Sequence, residues 1–175
     1  MEITTQTGTP RFSPHTFIDE GVFEDATGGR GMEFGSKVHE FAEASVLGEQ
    51  VTPDGPDETN VQSLLDSLDG DLHAEKQAFL PLDVDGERVT ISGVIDLLHV
   101  TPERAEIIDY KTDLDRRAES EYQKQLSVYY HVVAELYPDR EVTMAIFYTS
   151  DGERKPIKPL SKTELRELVR GVRNE

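Results

Sequence analysis

Cysteine is missing from this sequence of 175 residues. Its absence excludes disulfide bonds, thiolate metal sites and a four-cysteine iron–sulfur cluster. Long apolar runs are missing as well, so we expect no membrane-spanning segment, and no signal-peptide pattern opens the chain. We therefore expect a cytoplasmic protein, in which carboxylate, imidazole or carbonyl groups bind any metal ion.

Basic residues are scarce, with 18 Lys and Arg against 35 Asp and Glu and a net charge of −17. Such a charge is unusual for a nucleic-acid enzyme, because phosphate binding normally needs a basic surface. The acids are spread along the chain, which is typical of a halophilic protein, since the Debye length falls to about 3 Å in molar salt and surface repulsion is screened. An ordinary acidic cytosolic protein with a basic partner is the alternative.

The few basic residues are unevenly placed, because residues 153–173 hold seven of the eighteen. This segment predicts a contact with DNA phosphates or with another protein domain, or else a solvated helix face. Arg116, Arg117 and Lys124 lie closer in sequence to the acidic residues discussed below. We expect these three to be the nucleic-acid contacts.

The spacing of apolar residues predicts a single α/β domain. Helices are expected over residues 34–48, 61–68 and 118–137, and strands over residues 77–84, 91–100, 105–111 and 142–149. Asp85-Gly86 predicts a two-residue hairpin turn after the first strand. Ser13 and Pro14 predict a further helix start, so we expect a frayed terminus over residues 1–11 and one domain over residues 12–175.

Two acids are predicted to meet in the hairpin of residues 91–111. If residues 101–104 form the turn, Val100 pairs with Ala105 and Asp96 lies opposite Asp109. Like charges in that position destabilise a sheet, the more so because the neighbouring row of Val94 and Leu98 should be covered. A hard divalent cation such as Mg²⁺ or Mn²⁺ between the carboxylates is the simplest explanation.

Lys111 shares the strand face of Asp109, about 7 Å further along, while Tyr110 points to the other face. The pattern of Asp96 followed by Asp109-Tyr110-Lys111 resembles the signature of the PD-(D/E)xK nucleases. The later Gln125 and Tyr129 resemble the QxxxY motif of their RecB-type branch, and His39 in GSKVHEF resembles its helix histidine. The resemblance extends over roughly residues 12–148.

The resemblance implies a restriction-endonuclease-like core, which is a central mixed β-sheet flanked by helices. It also implies a metal-dependent DNA nuclease, an exonuclease-type domain that works with a helicase in the same or a partner chain during DNA repair or recombination. The sequence has no Walker A motif, so that motor would lie elsewhere. The alternatives are a non-catalytic module that binds nucleic acid or docks onto a protein, and an enzyme that acts on RNA.

The resemblance also assigns roles to individual residues. Mg²⁺ or Mn²⁺ would be bound by His39, Asp96, Asp109 and the backbone carbonyl of Tyr110. The catalytic set would be Asp96, Asp109, Lys111, Gln125 and Tyr129.

Several of these side chains have a plainer interpretation. A lone histidine such as His39 is more often packed or solvent-facing than a ligand. Tyr129 suits a helix core and Gln125 a solvated shoulder, although a glutamine on an apolar face needs a polar partner. Register places Glu75 opposite Asp96, so Glu75 is either an accessory acid for the metal or Lys111, or a surface glutamate.

Overall fold

The computed structural model describes residues 11–12 and 30–173, and a mixed β-sheet lies at the centre of this part of the chain. The predicted frayed terminus (apart from Arg11) and the predicted helix start at Ser13 and Pro14 lie outside the described residues. The elements in chain order are β1 Arg11–Phe12, α1 Gly31–Val46, α2 Pro56–Ser67, β2 Asp71–Val84, β3 Glu87–Val100, β4 Arg104–Lys111, α3 Glu119–Leu136, β5 Glu141–Tyr148, β6 Glu153–Pro156 and α4 Lys162–Arg173.

The six described strands have the order β1-β3-β4-β5-β6, and β2 pairs with β3. The β2–β3, β3–β4 and β5–β6 pairs are antiparallel, whereas β4 is parallel to β5 and β1 is parallel to β3. Parallel neighbours need a crossover connection, and α3 supplies it between β4 and β5. The expected mixed sheet with flanking helices is therefore confirmed.

Helices cover both faces of this sheet and form two separate cores. On one face α1 and α2 bury Val38 and Val61 against Leu97 of β3. On the other face α3 and α4 bury Leu126 and Leu165 against a larger set of strand residues. No helix in residues 30–173 is long and apolar enough to cross a membrane.

Over residues 30–173 the predicted elements are present, with shifted ends. Val84 pairs with Glu87, and both Asp85 and Gly86 have positive φ, as a two-residue hairpin turn requires. Strand β2 begins at Asp71 rather than at residue 77, because its first half is polar and partly exposed and so lacks the apolar signal of a buried strand. One burial prediction is wrong, since Val94 is 43 % exposed.

Candidate active site

The β3–β4 hairpin brings Asp96 and Asp109 together. Val100 pairs with Ala105 and Leu97 with Ile108, which is the expected register, and the next step along both strands reaches the two acids. The ladder of paired residues ends at Leu97 and Ile108, one step before the two acids. Instead, the backbone N–H of Tyr110 donates a hydrogen bond of 3.0 Å to Asp96 Oδ2. The carboxylate of Asp96 thus lies against the backbone that carries Asp109.

A kink in the β2–β3 hairpin explains how Asp96 reaches this position. Glu75, its partner by register, has a φ of +50°, a left-handed conformation that is rare for a residue with a side chain. At this point the alternation of side chains along β3 is interrupted. Ile95 packs in the α3–α4 core, whereas Leu97 packs in the α1–α2 core. Strict alternation would place both residues on one face.

Asp109 and Lys111 form a buried ion pair on the α3 side of the sheet. The Lys111 Nζ lies 2.8 Å from Asp109 Oδ2, and the side chains are only 17 % and 3 % exposed. Apart from this ammonium, Oδ2 has no hydrogen-bond partner among the described residues. Burial, together with the nearby Asp96, raises the pKa of Asp109 despite the charge of Lys111. Tyr110 packs in the opposite core, as strand alternation predicts.

His39 of α1 contacts Asp96 from the other face. Its Nε2 lies 3.0 Å from Asp96 Oδ2, and its Nδ1 lies 2.9 Å from the carbonyl oxygen of Gly35, one turn earlier. Burial opposes a charge on His39, but the hydrogen bond to Asp96 and the negative charge of Asp96 raise its pKa to about 9. The imidazole is therefore protonated at neutral pH and donates to Asp96. It would have to lose that proton in order to bind a metal ion.

Gln125 and Tyr129 of α3 extend the site from Lys111 into the core. Lys111 Nζ donates a hydrogen bond of 3.2 Å to Gln125 Oε1, and Gln125 Nε2 donates one of 3.3 Å to the Tyr129 hydroxyl. Both side chains are buried. The polar partner that Gln125 needs on its helix face is thus Lys111. The catalytic role of the two residues stays a prediction.

The remaining sequence candidates lie around this centre. Glu75 is exposed by its accessible surface, but nearby protein atoms partly desolvate its carboxylate. This desolvation and the charges of Asp96 and Glu43 raise the pKa of Glu75. Arg117 Nη2 lies 2.9 Å from Asp115, and Lys124 Nζ lies 2.9 Å from Glu121. These two cations are paired with acids of this chain, so a phosphate would compete with those acids.

Arg116 is held more tightly than the other two cations. Its guanidinium lies 3.5 Å from the centre of the Tyr148 ring, and one nitrogen is 2.7 Å from both Asp151 and Glu153. This residue therefore ties the end of β5 to the loop before β6. Its contact with nucleic acid stays a prediction, like those of Arg117 and Lys124.

Sequence reasoning missed two buried polar residues beside Lys111. Asp113 follows it by two positions, and the hydroxyl of Tyr122 donates a hydrogen bond of 2.6 Å to Asp113. Tyr122 precedes Gln125 by three positions on α3, which places it one helical turn away on the same side. That spacing was the available signal, but an inward tyrosine on a helix is usually read as core.

The donor chemistry of this centre fits a hard divalent cation. Two carboxylates and the carbonyl of Tyr110 are oxygen ligands of the kind that Mg²⁺ and Mn²⁺ prefer. Buried Asp109 Oδ2 faces the Lys111 ammonium at 2.8 Å and has no other hydrogen-bond partner among the described residues, so its remaining lone pairs are available to a cation. In the described part of the chain no three His, Asp or Glu side chains converge as a ligand set.

The mixed sheet, its helices and the paired acids with a lysine define a restriction-endonuclease-like α/β domain. The chain belongs to the PD-(D/E)XK nuclease superfamily, whose family model matches residues 57–175. The match contains Asp96, Asp109, Lys111, Gln125 and Tyr129, whereas His39 and the whole of α1 precede it. The expected core fold is therefore confirmed.

The chain is also similar to a solved structure, the crystal structure of SSO0001. The two share 14 % sequence identity with a TM-score of 0.54, over 94 % of this chain and 75 % of that chain. At this level of identity the likeness extends to the fold alone. No curated protein matches the sequence.

Proposed function

We propose that this protein is a metal-dependent deoxyribonuclease that hydrolyses phosphodiester bonds. One observation carries the proposal: two acids on adjacent strands meet beside a buried lysine, whose ammonium lies 2.8 Å from one of the carboxylates. Membership of a nuclease superfamily supports the same chemistry. In an acidic chain, a bound cation also offsets the repulsion that a phosphate would meet.

Four groups of the chain would hold the cation: the carboxylates of Asp96 and Asp109, the carbonyl of Tyr110 and, once deprotonated, the imidazole of His39. A bound Mg²⁺ or Mn²⁺ supplies Lewis-acid polarisation of the phosphate and a water of lowered pKa. Lys111 contributes a positive charge. Burial alone would lower its pKa, but Asp109 and Asp96 raise it, so Lys111 stays an ammonium. It can therefore donate to phosphate oxygens.

The test compares the parent protein with Asp109→Asn and Lys111→Met on single-stranded and duplex DNA, with Mg²⁺ or Mn²⁺ at several salt concentrations. We expect cleavage by the parent and a loss of at least about 100-fold in either variant, as removal of one charge-stabilising group typically produces. Asp83→Asn is the control, because this acid is exposed on β2. Equal cleavage by all four proteins would place the activity elsewhere. Cleavage of an RNA substrate in the same assay would identify a ribonuclease.

The proposal extends to the branch of the superfamily and to adaptation of the protein to salt. The order of His39, Asp96, Asp109, Lys111, Gln125 and Tyr129 supports a RecB-type domain that acts as an exonuclease with a helicase in DNA repair. The net charge of −17 supports a salt-adapted enzyme. Nuclease activity that rises as salt is added, and helicase motifs encoded beside this chain, are the observations that test these points.

A non-catalytic module that binds nucleic acid is the second candidate. It is favoured by the pairing within the site, since His39 already neutralises Asp96 and Lys111 already neutralises Asp109. Such internal pairs let the acids stay buried without a cation. This protein would bind DNA equally well with and without divalent cations, and would not cleave it.

A further inference from the structure

We propose that Tyr122 and Asp113 form a positioning unit that aims the ammonium of Lys111. The inference rests on the proposed function, because it concerns how the lysine of that site is held. Neither residue belongs to the sequence pattern by which the site was recognised. Both are buried, at 3 % and 2 % exposure.

Lys111 is surrounded on three sides. Its Nζ lies 2.8 Å from Asp109 Oδ2, donates to Gln125 Oε1 at 3.2 Å, and lies 4.2 Å from the centre of the Tyr122 ring. An ammonium is attracted to the negative face of an aromatic ring. The ring attracts the positive charge without competing with Asp109 and Gln125 for the N–H bonds of the ammonium. It therefore confines the ammonium while leaving its N–H donors directed at the site.

The ring itself is held in place by Asp113. The Tyr122 hydroxyl donates a short hydrogen bond of 2.6 Å to Asp113 Oδ2, and Ser150 donates to the backbone carbonyl of Asp113 at 3.3 Å. Burial and the negative charge of Asp113 raise the pKa of Tyr122, so the hydroxyl keeps its proton as the donor. The loop after β4 thus fixes a tyrosine of α3, and that tyrosine faces the last residue of β4.

A purely structural role for Tyr122 makes a different prediction. A core tyrosine affects stability in proportion to the packing that its removal destroys. A positioning residue also affects the chemical step, because catalytic groups must lie within a fraction of an ångström of their productive geometry. Turnover and substrate affinity, measured separately under conditions where every variant is folded, therefore distinguish the two roles.

The experiment uses Tyr122→Leu, which removes the ring, Tyr122→Phe, which keeps the ring but loses the bond to Asp113, and Asp113→Asn. Tyr130→Leu is the matched control, since Tyr130 lies on the same helix beside a surface groove lined by Val142 and Ile157. We expect Tyr122→Leu to lower kcat about tenfold, with KM changed less than twofold, as loss of a desolvated cation–π contact implies. Tyr122→Phe should recover most of this loss. The kcat of Asp113→Asn should lie between those of the parent and Tyr122→Leu, and Tyr130→Leu should keep the parental kcat.

A second measurement is independent of activity. The chain has seven lysines, so a ¹³C-lysine NMR spectrum is simple, and Lys111→Met assigns one signal. The ring current of Tyr122 should shift the Lys111 ε-methylene upfield in the parent and in Tyr122→Phe, but not in Tyr122→Leu.

The inference is overturned if Tyr122→Leu keeps the parental kcat, or if the Lys111 signal does not respond to loss of the ring. If Asp109→Asn is inactive while Tyr122→Leu is fully active, this inference alone fails. If Asp109→Asn cleaves like the parent, the proposed function fails, and the NMR signal still decides whether the ring holds Lys111.

Discussion

The N–H of Tyr110 donates to the same oxygen of Asp96 that His39 contacts, so Oδ2 of this carboxylate is held from two elements at 3.0 Å each. Burial alone would raise the pKa of Asp96, but the hydrogen bond and charge of His39 and the charge of Lys111 lower it. Asp96 is therefore ionised beside Asp109, whose pKa is raised.

Divalent cations should stabilise the protein through Asp109. A cation that binds only the folded state adds about 2.7 kcal/mol at 100 times its Kd, which corresponds to roughly 5–10 °C in Tm for a domain of this size. We expect Mn²⁺ to produce this rise in the parent and in Asp83→Asn, and a much smaller one in Asp109→Asn. Thermal unfolding followed by circular dichroism measures it. The same Tm with and without Mn²⁺ would support the non-catalytic module.

Gly93→Ala should destabilise the protein by overpacking. A Cβ at this position would lie 2.8 Å from the Tyr129 hydroxyl oxygen and 2.9 Å from Cε1 of the same ring. Tyr129 is buried, so the ring cannot move freely, and we expect a loss of about 1–3 kcal/mol in the free energy of unfolding. Urea denaturation measures this loss.

Gly35→Ala is the control for this substitution. A Cβ there lies 3.6 Å from Thr112 Oγ1, an ordinary contact, and alanine is the better helix former. This variant should be at least as stable as the parent. A Gly93→Ala protein that unfolds at the parental urea concentration would contradict the packing around Tyr129.

Asp57→Ala should be strongly destabilising. This buried carboxylate accepts hydrogen bonds from Arg30 at 2.7 and 3.2 Å and from the Thr149 hydroxyl at 2.7 Å. Loss of one partner of a buried ion pair leaves the other charge uncompensated, which costs about 3 kcal/mol. Thr149 N–H also donates to the carbonyl of Lys111 at 3.0 Å, so we expect nuclease activity to fall as well.

Asp54→Ala is the matched control for Asp57→Ala, because Asp54 pairs with Lys37 where both side chains are exposed. Solvent and salt screen such a pair, so unfolding should change little. Chemical denaturation of the three proteins tests the contrast. Similar losses in both variants would mean that burial of Asp57 is unimportant.

His131 should make stability fall in mildly acidic solution. Burial and the charge of Lys162 lower its pKa, against the opposing effects of the Leu160 carbonyl and Glu135. The unfolded chain, with a histidine pKa of about 6.5, then binds more protons than the folded one. The contribution of His131 is therefore present above about pH 6.5 and is lost as the pH falls through that value.

The measurement is the difference in Tm between the parent and His131→Gln across this pH range. Glutamine can still donate to the Leu160 carbonyl, and Lys162 and Glu135 are present in both proteins. We expect the parent to lose stability relative to the variant as the pH falls from 7.5 to 5. A constant difference would show that the pKa of His131 is the same in both states.

Much of the fold follows from local patterns, while most of the polar network does not. The turn at Asp85-Gly86 and the register through Ala105 were predictable, because turn chemistry and alternation act over a few residues. The hydrogen bond between Asp57 and Thr149 joins positions 92 residues apart, and no periodicity in the sequence predicts it. The kink at Glu75 was also missed, because a glutamate with positive φ has no sequence signature.

The change of faces at Asp96 has a consequence for unfolding. Ile95 belongs to the core under α3 and α4, and Leu97 belongs to the core under α1 and α2. Strand β3 thus packs against both helical layers at the position where the two acids meet. We expect the two layers to melt together in one cooperative transition, so that the acid pair separates when either layer unfolds.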